Sequence, residues 1–173
     1  MVQIQAINMS VDFKIISHRC LIDGEDDSFE NHPDHIEKHI ELYPWMYFEI
    51  DVWMIKKDLF LGHNEPLYKV DFDFLKYKKF FLHAKNLDAF EFLHSNRSEL
   101  GDIFFHSKDE ITITTNGEIW CNKQIWVNGS ILNQVNLETV NTILYRGICT
   151  DFPLLAQKTL ANQNEKNWPF NIH

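Results

Sequence analysis

Residues 46–53 read MYFEIDVW. Side chains alternate across a strand, so Phe48, Ile50 and Val52 fall on one face while Glu49 and Asp51 share the other. Two carboxylates held close repel each other and push one pKa upward unless something compensates them. A divalent metal does this well. Oxygen ligands suit Mg²⁺ or Ca²⁺, and an added imidazole moves the preference toward Mn²⁺ or Zn²⁺.

The same alternation repeats outward from this stretch. Residues 14–19, KIISHR, form the first expected strand, and an acidic loop follows at 23–27. A helix is expected from about Asn31, with Pro33 in its first turn and Ile36, Ile40 and Tyr43 at helical spacing, stopping at Pro44. Residues 58–63, DLFLGH, read as a third strand after a turn at 56–58, and a short helix is expected over 72–77. Residues 80–85, FFLHAK, read as a strand with His83 and Lys85 on one face. A helix carrying Leu87, Phe90 and Leu93 and a strand at 103–106 come next. The segment 111–127 reads as β-rich, broken at Asn116-Gly117. A helix near 137–144, a strand ending in 148–153 and a helix over 154–160 complete the pattern. The tail, 162–173, lacks periodicity and is expected to be irregular. Short apolar runs alternating with amphipathic segments favour an α/β domain with parallel strands.

A length of 173 residues suits one domain, and no linker or repeat divides it. The net charge of -9 disfavours nonspecific binding to nucleic acid or to anionic membranes. Three cysteines without close spacing argue against a disulfide framework and against a Cys-rich zinc site. The first residues lack a basic start followed by an apolar run, and no stretch reaches membrane length, so the expectation is a soluble, cytoplasmic chain.

Polar residues gather at the downstream ends of the expected strands: His18 and Arg19, Glu49 and Asp51, His63, His83 and Lys85, and His106. In a barrel of parallel strands those ends form one rim, where catalytic groups come from several strands at once. Singly, each has a plainer reading, as a solvated strand end, a surface pair or a hydrogen-bonded core histidine. Their recurrence at successive strand ends is what points to a site.

Taken in order, Ile16-Ser17-His18-Arg19, Glu30-Asn31, Glu49-x-Asp51, Gly62-His63, Lys85 and Thr150-Asp151-x-Pro153 resemble the motifs of the glycerophosphodiester phosphodiesterases. These belong to the phospholipase-C-like TIM-barrel superfamily. The chain resembles a short, divergent member, with Cys20, Asn64 and His83 where the family carries Gly, Asp and Glu. The resemblance implies a compact or reduced TIM (β/α) barrel. It also implies His18 and His63 as general acid and base, and Arg19 and Lys85 on the phosphate. Glu49 and Asp51 would bind a divalent metal, Mg²⁺ or Ca²⁺ with Mn²⁺ as a variant, with His83 beside them, and Glu30 would lie near the metal or orient groups around it. The implied substrate is a small phosphodiester, with a neighbouring hydroxyl attacking phosphorus to give a cyclic phosphate. Two rivals stand beside this: a catalytically inactive barrel that binds phosphate or glycan, and a lyase acting on a sugar phosphate. The oligomeric state is not legible in the sequence.

Overall fold

A computed structural model describes residues 13–24, 28–122 and 125–166. Its strands are β1 (Lys14–Ser17), β2 (Tyr47–Ile55), β3 (Asp58–Leu61), β4 (Tyr68–Val70), β5 (Phe80–Ala84), β6 (Asp102–Phe105), β7 (Ile111–Ile113), β8 (Ile119–Cys121), β9 (Ser130–Asn133) and β10 (Gly147–Thr150). The helices are α1 (Pro33–Leu42), α2 (Leu87–Ser95) and α3 (Pro153–Lys166). All ten strands belong to one curled sheet. Neighbours in the order β6-β5-β2-β1-β10-β9-β8 pair in parallel. β7 runs antiparallel to β8, and β3 and β4 extend β2 as an antiparallel meander. At the far side of the curl, the Thr115 N–H donates to Ile103 O at 2.9 Å, and the Ile103 N–H donates to Thr115 Oγ1 at 3.1 Å.

Parity organises the packing. The apolar face of β2 (Phe48, Ile50 and Val52) joins Leu82 and Ala84 of β5 beneath Ile36 of α1 and Ala89 and Leu93 of α2. Pro33 opens α1, where its missing N–H costs nothing. The Asn86 side chain caps α2 by accepting the Ala89 N–H at 2.9 Å. The opposite face of the sheet encloses a second core of Ile16, Phe81, Phe104, Trp120, Ile131 and Cys149, with Tyr47 packed against it. These seven residues come one each from β1, β5, β6, β8, β9, β10 and β2. Aromatic contacts knit this layer: the rings of Phe104 and Trp120 stack at 4.6 Å, and Phe81 lies 5.6 Å from Trp120.

The α/β expectation holds, but a regular alternation of eight strands with eight helices is not present among the described residues. The 58–63 strand is a hairpin arm. Lys56 and Lys57 both adopt left-handed φ (51° and 75°), so the chain reverses at once, and a two-residue connection joins only antiparallel strands. The 14–19 strand ends at Ser17, because Arg19 and Cys20 take left-handed φ of 51° and 61° in a 3₁₀ turn. The 72–77 helix is a 3₁₀ turn over Phe72–Lys76. The 137–144 helix shrinks to a 3₁₀ turn, Leu137–Thr139. Asn136 and Asn141 bind nearby backbone N–H groups there, and β-branched Val140, Thr142 and Ile143 resist helix. α3 runs to Lys166, beyond the expected end, so the first part of the 162–173 tail is helical; 167–173 lie outside the described residues. No described helix is long and apolar enough to cross a membrane.

Candidate active site

The inner core layer predicts where the site must lie. Two residues beyond Ile16, Tyr47, Phe81, Phe104, Trp120, Ile131 and Cys149 stand His18, Glu49, His83, His106, Asn122, Asn133 and Asp151. Strand alternation aims Glu49, His83 and Asn133 to the same side as their apolar predecessors, and His18, His106, Asn122 and Asp151 follow immediately past their strand ends. A cavity of about 100 Å³ opens there, lined by His18, Arg19, Glu49, Asp51, His63, His83, His106, Asn122 and Asn133 over a floor of Phe104 and Trp120. A wider cavity of about 510 Å³ shares His106, Asn122 and Asn133 and extends along Ser107, Lys108, Asp109, Glu110 and Gln134.

Asp51 is the centre of the charged side. Its Oδ1 lies 2.9 Å from His83 Nδ1 and 3.0 Å from Lys85 Nζ. Its Oδ2 accepts from Asn31 Nδ2 at 3.0 Å and lies 3.0 Å from His63 Nδ1, with Arg19 Nε at 3.8 Å. Burial pushes the Asp51 carboxyl up, but the bonds from His63 and His83 and the Lys85 charge outweigh it and hold it well below the usual carboxylate range. Glu49 Oε2 accepts the Arg19 backbone N–H at 3.0 Å, a bond that the left-handed turn makes possible. Burial and the Asp51 charge push Glu49 up; the His83 bond and the nearby histidine charges reverse this, leaving it lowered.

His18 and His63 are held alike. Each places Nδ1 on a carboxylate, His18 on Asp151 at 2.7 Å and His63 on Asp51 at 3.0 Å. A carboxylate only accepts, so Nδ1 carries the proton in each pair and Nε2 is the acceptor nitrogen. The His63 Nε2 accepts from Arg19 Nη2 at 3.0 Å, since guanidinium only donates. Burial pushes Asp151 up, but the His18 bond outweighs it and the net shift is downward. His63 reaches the cavity because Gly62 turns the chain at φ 146°, a region L side chains rarely adopt, where a Cβ would meet Glu65 O at 2.1 Å.

One carboxylate oxygen each from Glu49 and Asp51 and one His83 nitrogen lie within 4.8 Å of one another, all buried. Two oxygens and a nitrogen suit Mg²⁺, Ca²⁺ or Mn²⁺. A proton on His83 meets the same need: burial pushes this imidazole down, but Asp51 and Glu49 outweigh it and raise it to about 9. The donor set therefore fits a cation that takes the place of that proton.

Glu30, expected to lie near the metal or to orient groups around it, is not one of these three. Its Oε1 accepts from Arg19 Nη1 at 2.6 Å, so it orients the guanidinium. Its neighbour Asn31 enters the centre instead. Buried and at φ 57°, Asn31 donates to Asp51 Oδ2 and accepts the Asp51 backbone N–H at 2.8 Å. Lys85 lies against Asp51 as the strand parity of β5 requires. Sequence reading gave no role to Asp151, Asn122, Asn133 or Gln134, whose Nε2 lies 2.9 Å from His18 Nδ1. The signal for Asn122 and Asn133 was the two-residue step beyond an apolar strand residue. Comparison with known protein families, curated proteins and solved structures finds no match for this chain.

Proposed function

We propose that the chain is a metal-dependent phosphodiesterase that cleaves a glycerophosphodiester-like substrate, on a curled sheet that amounts to a reduced (β/α) barrel. The observation that carries this reading is the matched pair, His18 and His63. Each has Nδ1 tied to a carboxylate, and both line one small cavity with Arg19. Binding a phosphate does not call for two oriented imidazoles, whereas moving a proton on each side of phosphorus does.

In this mechanism Arg19 and Lys85 donate to the phosphoryl oxygens. One imidazole takes the proton of a neighbouring substrate hydroxyl as its oxygen bonds to phosphorus. The bond from phosphorus to the second alcohol breaks, and the other imidazole gives that oxygen its proton. The products are a cyclic phosphate and a free alcohol, and water can open the ring by the reverse proton movements. A divalent cation held by Glu49, Asp51 and deprotonated His83 would add charge neutralisation at the phosphate. The wider polar cavity beside the charged site, where Asn122, Asn133 and Gln134 stand, suits the alcohol or polyol portion.

The test is release of alcohol from glycerophosphodiesters before and after chelation. Turnover is expected to vanish with chelation and return with Mg²⁺, Ca²⁺ or Mn²⁺. Turnover that survives exhaustive chelation removes the metal from the reading. A second reading, a noncatalytic module for phosphate or glycan, is favoured by the ion pairs and hydrogen bonds that Asp51 already makes with His83, Lys85, Asn31 and His63. It is supported instead if the metal-loaded protein is stabilised by glycerol phosphate yet turns over no diester.

A further inference from the structure

Behind the turn that carries His18 and Arg19 lies a second group of side chains of metal-ligating type that the proposed chemistry does not use. Cys20 closes the 3₁₀ turn that carries His18 and Arg19, and its left-handed φ of 61° turns the residue into the interior, where it is fully buried. His35 and His39 stand one turn apart on α1, a spacing that puts both on one helix face. The Cys20 Sγ and one nitrogen of each imidazole lie within 4.8 Å of one another.

We propose that Cys20, His35 and His39 form a second metal site, for a borderline divalent cation of the Zn²⁺ class, that pins α1 to the turn bearing His18 and Arg19. Three features support it. The donor set is one sulfur and two imidazoles, which prefers Zn²⁺ over the hard cations suited to Glu49 and Asp51. The His39 ring is already oriented: Nδ1 donates to His35 O at 2.7 Å, leaving Nε2 as the ligand atom, the outer-shell arrangement metal-bound histidines use. The two rings lie 4.0 Å apart at 58° rather than face to face, so their nitrogens can converge on one ion. Metal–ligand bonds of about 2.0–2.3 Å require the three atoms to close to about 3.5 Å of one another, which is side-chain adjustment. Water would complete the tetrahedron.

Burial pushes the Cys20 thiol well above its ordinary value, so the metal-free thiol keeps its proton. On binding, the sulfur–hydrogen bond is exchanged for a sulfur–metal bond and the proton leaves to solvent.

The experiment is titration of the full chain with Co²⁺, a spectroscopic stand-in for Zn²⁺. A thiolate-to-cobalt charge-transfer band in the near ultraviolet reports sulfur ligation, which the oxygen-rich Glu49–Asp51–His83 group cannot produce. The band is expected in the wild type and in Cys121→Ser and Cys149→Ser, and it should be absent in Cys20→Ser. Should Cys20→Ser fail to fold by circular dichroism, His35→Gln on the partly exposed face of α1 serves instead. It should weaken Zn²⁺ binding by at least about tenfold. No band in the wild type, a band that survives Cys20→Ser, or unchanged Zn²⁺ affinity in His35→Gln overturns the site.

Discussion

The two sides of the cavity differ in kind. The side built by β1, β2 and β5 is ionic: His18, Arg19, Glu49, Asp51, His63, His83 and Lys85 exchange charge-assisted bonds within it. The side built by β8 and β9 is made of amides. Asn122 Oδ1 accepts from Trp120 Nε1 and from Asn133 Nδ2, both at 3.2 Å. Asn122 Nδ2 donates to Asp109 O at 3.1 Å. Helices back both sides. α1 and α2 pack behind the ionic side, and Ala156 and Leu160 of α3 pack with Cys121 and Leu132 behind the other. Charged groups in mutual contact fix the geometry proton transfer needs, whereas amides, which both donate and accept, suit recognition of an uncharged group.

The comparison breaks most visibly in turnover. His18→Ala and His63→Ala should each slow the chemical step by about 10²–10⁴-fold, measured on a glycerophosphodiester at saturating substrate. Neither change should alter Mg²⁺ or Ca²⁺ binding. Near-normal turnover in His63→Ala removes it from proton transfer and leaves the ionic side as a binding cradle only.

The next effect is on stability. Sequence alone sees Glu49 and Asp51 as two like charges, so Asp51→Asn looks like relief of repulsion. The structure reverses the sign. Asp51 compensates His83 and Lys85 and accepts from Asn31 and His63, and neutralising it strands buried cations. In chelated protein Asp51→Asn should cost about 3–5 kcal/mol, read from denaturant unfolding. Unchanged or increased stability shows that the carboxylates repel on balance and that the protein donors do not suffice.

That reversal shows what was legible. The parity of residues 46–53 and 80–85 placed Glu49, Asp51, His83 and Lys85 on one face, because alternation is a local property of a strand. The sense of a strand is not local. His63 was read as the end of a parallel strand, yet it arrives from a hairpin turned by Lys56, Lys57 and Gly62. Glu30 and Asn31 are adjacent, and only the left-handed φ of Asn31 decides which of them meets Asp51. Cys20, His35 and His39 are scattered along the sequence and converge only when α1 folds back on the turn after β1.

Two histidines set a smaller, pH-dependent effect. The His83 proton is retained in the fold up to about pH 9, but the unfolded chain loses it near 6.5. Its stabilisation is complete below 6.5 and fades as pH climbs to 9, by about 3 kcal/mol in all. His106 behaves oppositely: burial, with the neighbouring His83 charge, lowers it to about 4. The unfolded chain therefore binds this proton between 6.5 and 4, and stability falls as pH drops through that window. Metal-free protein should be most stable near pH 6.5, and His83→Gln should flatten the alkaline limb alone. An alkaline limb unchanged in His83→Gln means another group supplies it.

The smallest effect sharpens the contrast from the amide side. The Asn133 Oδ1 is buried and has no hydrogen-bond partner among the described residues, while its Nδ2 serves Asn122. An acceptor left open beside the cavity is suited to a hydroxyl of the bound alcohol. Removing it with Asn133→Ala should cost about one neutral hydrogen bond, on the order of 0.5–1.5 kcal/mol, or roughly a 2–10-fold rise in KM. The proton transfers lie on the other side of the phosphate, so kcat should stay within about twofold, because a contact made equally in ground and transition states changes KM alone. The measurement is a KM-against-kcat split on a series of glycerophosphodiesters, one with a polyol alcohol and one with an alkyl alcohol. Only the polyol substrate should feel the change. A kcat loss comparable to that of the histidine variants would place Asn133 in the reacting geometry, and the division between an ionic side for chemistry and an amide side for recognition would fail.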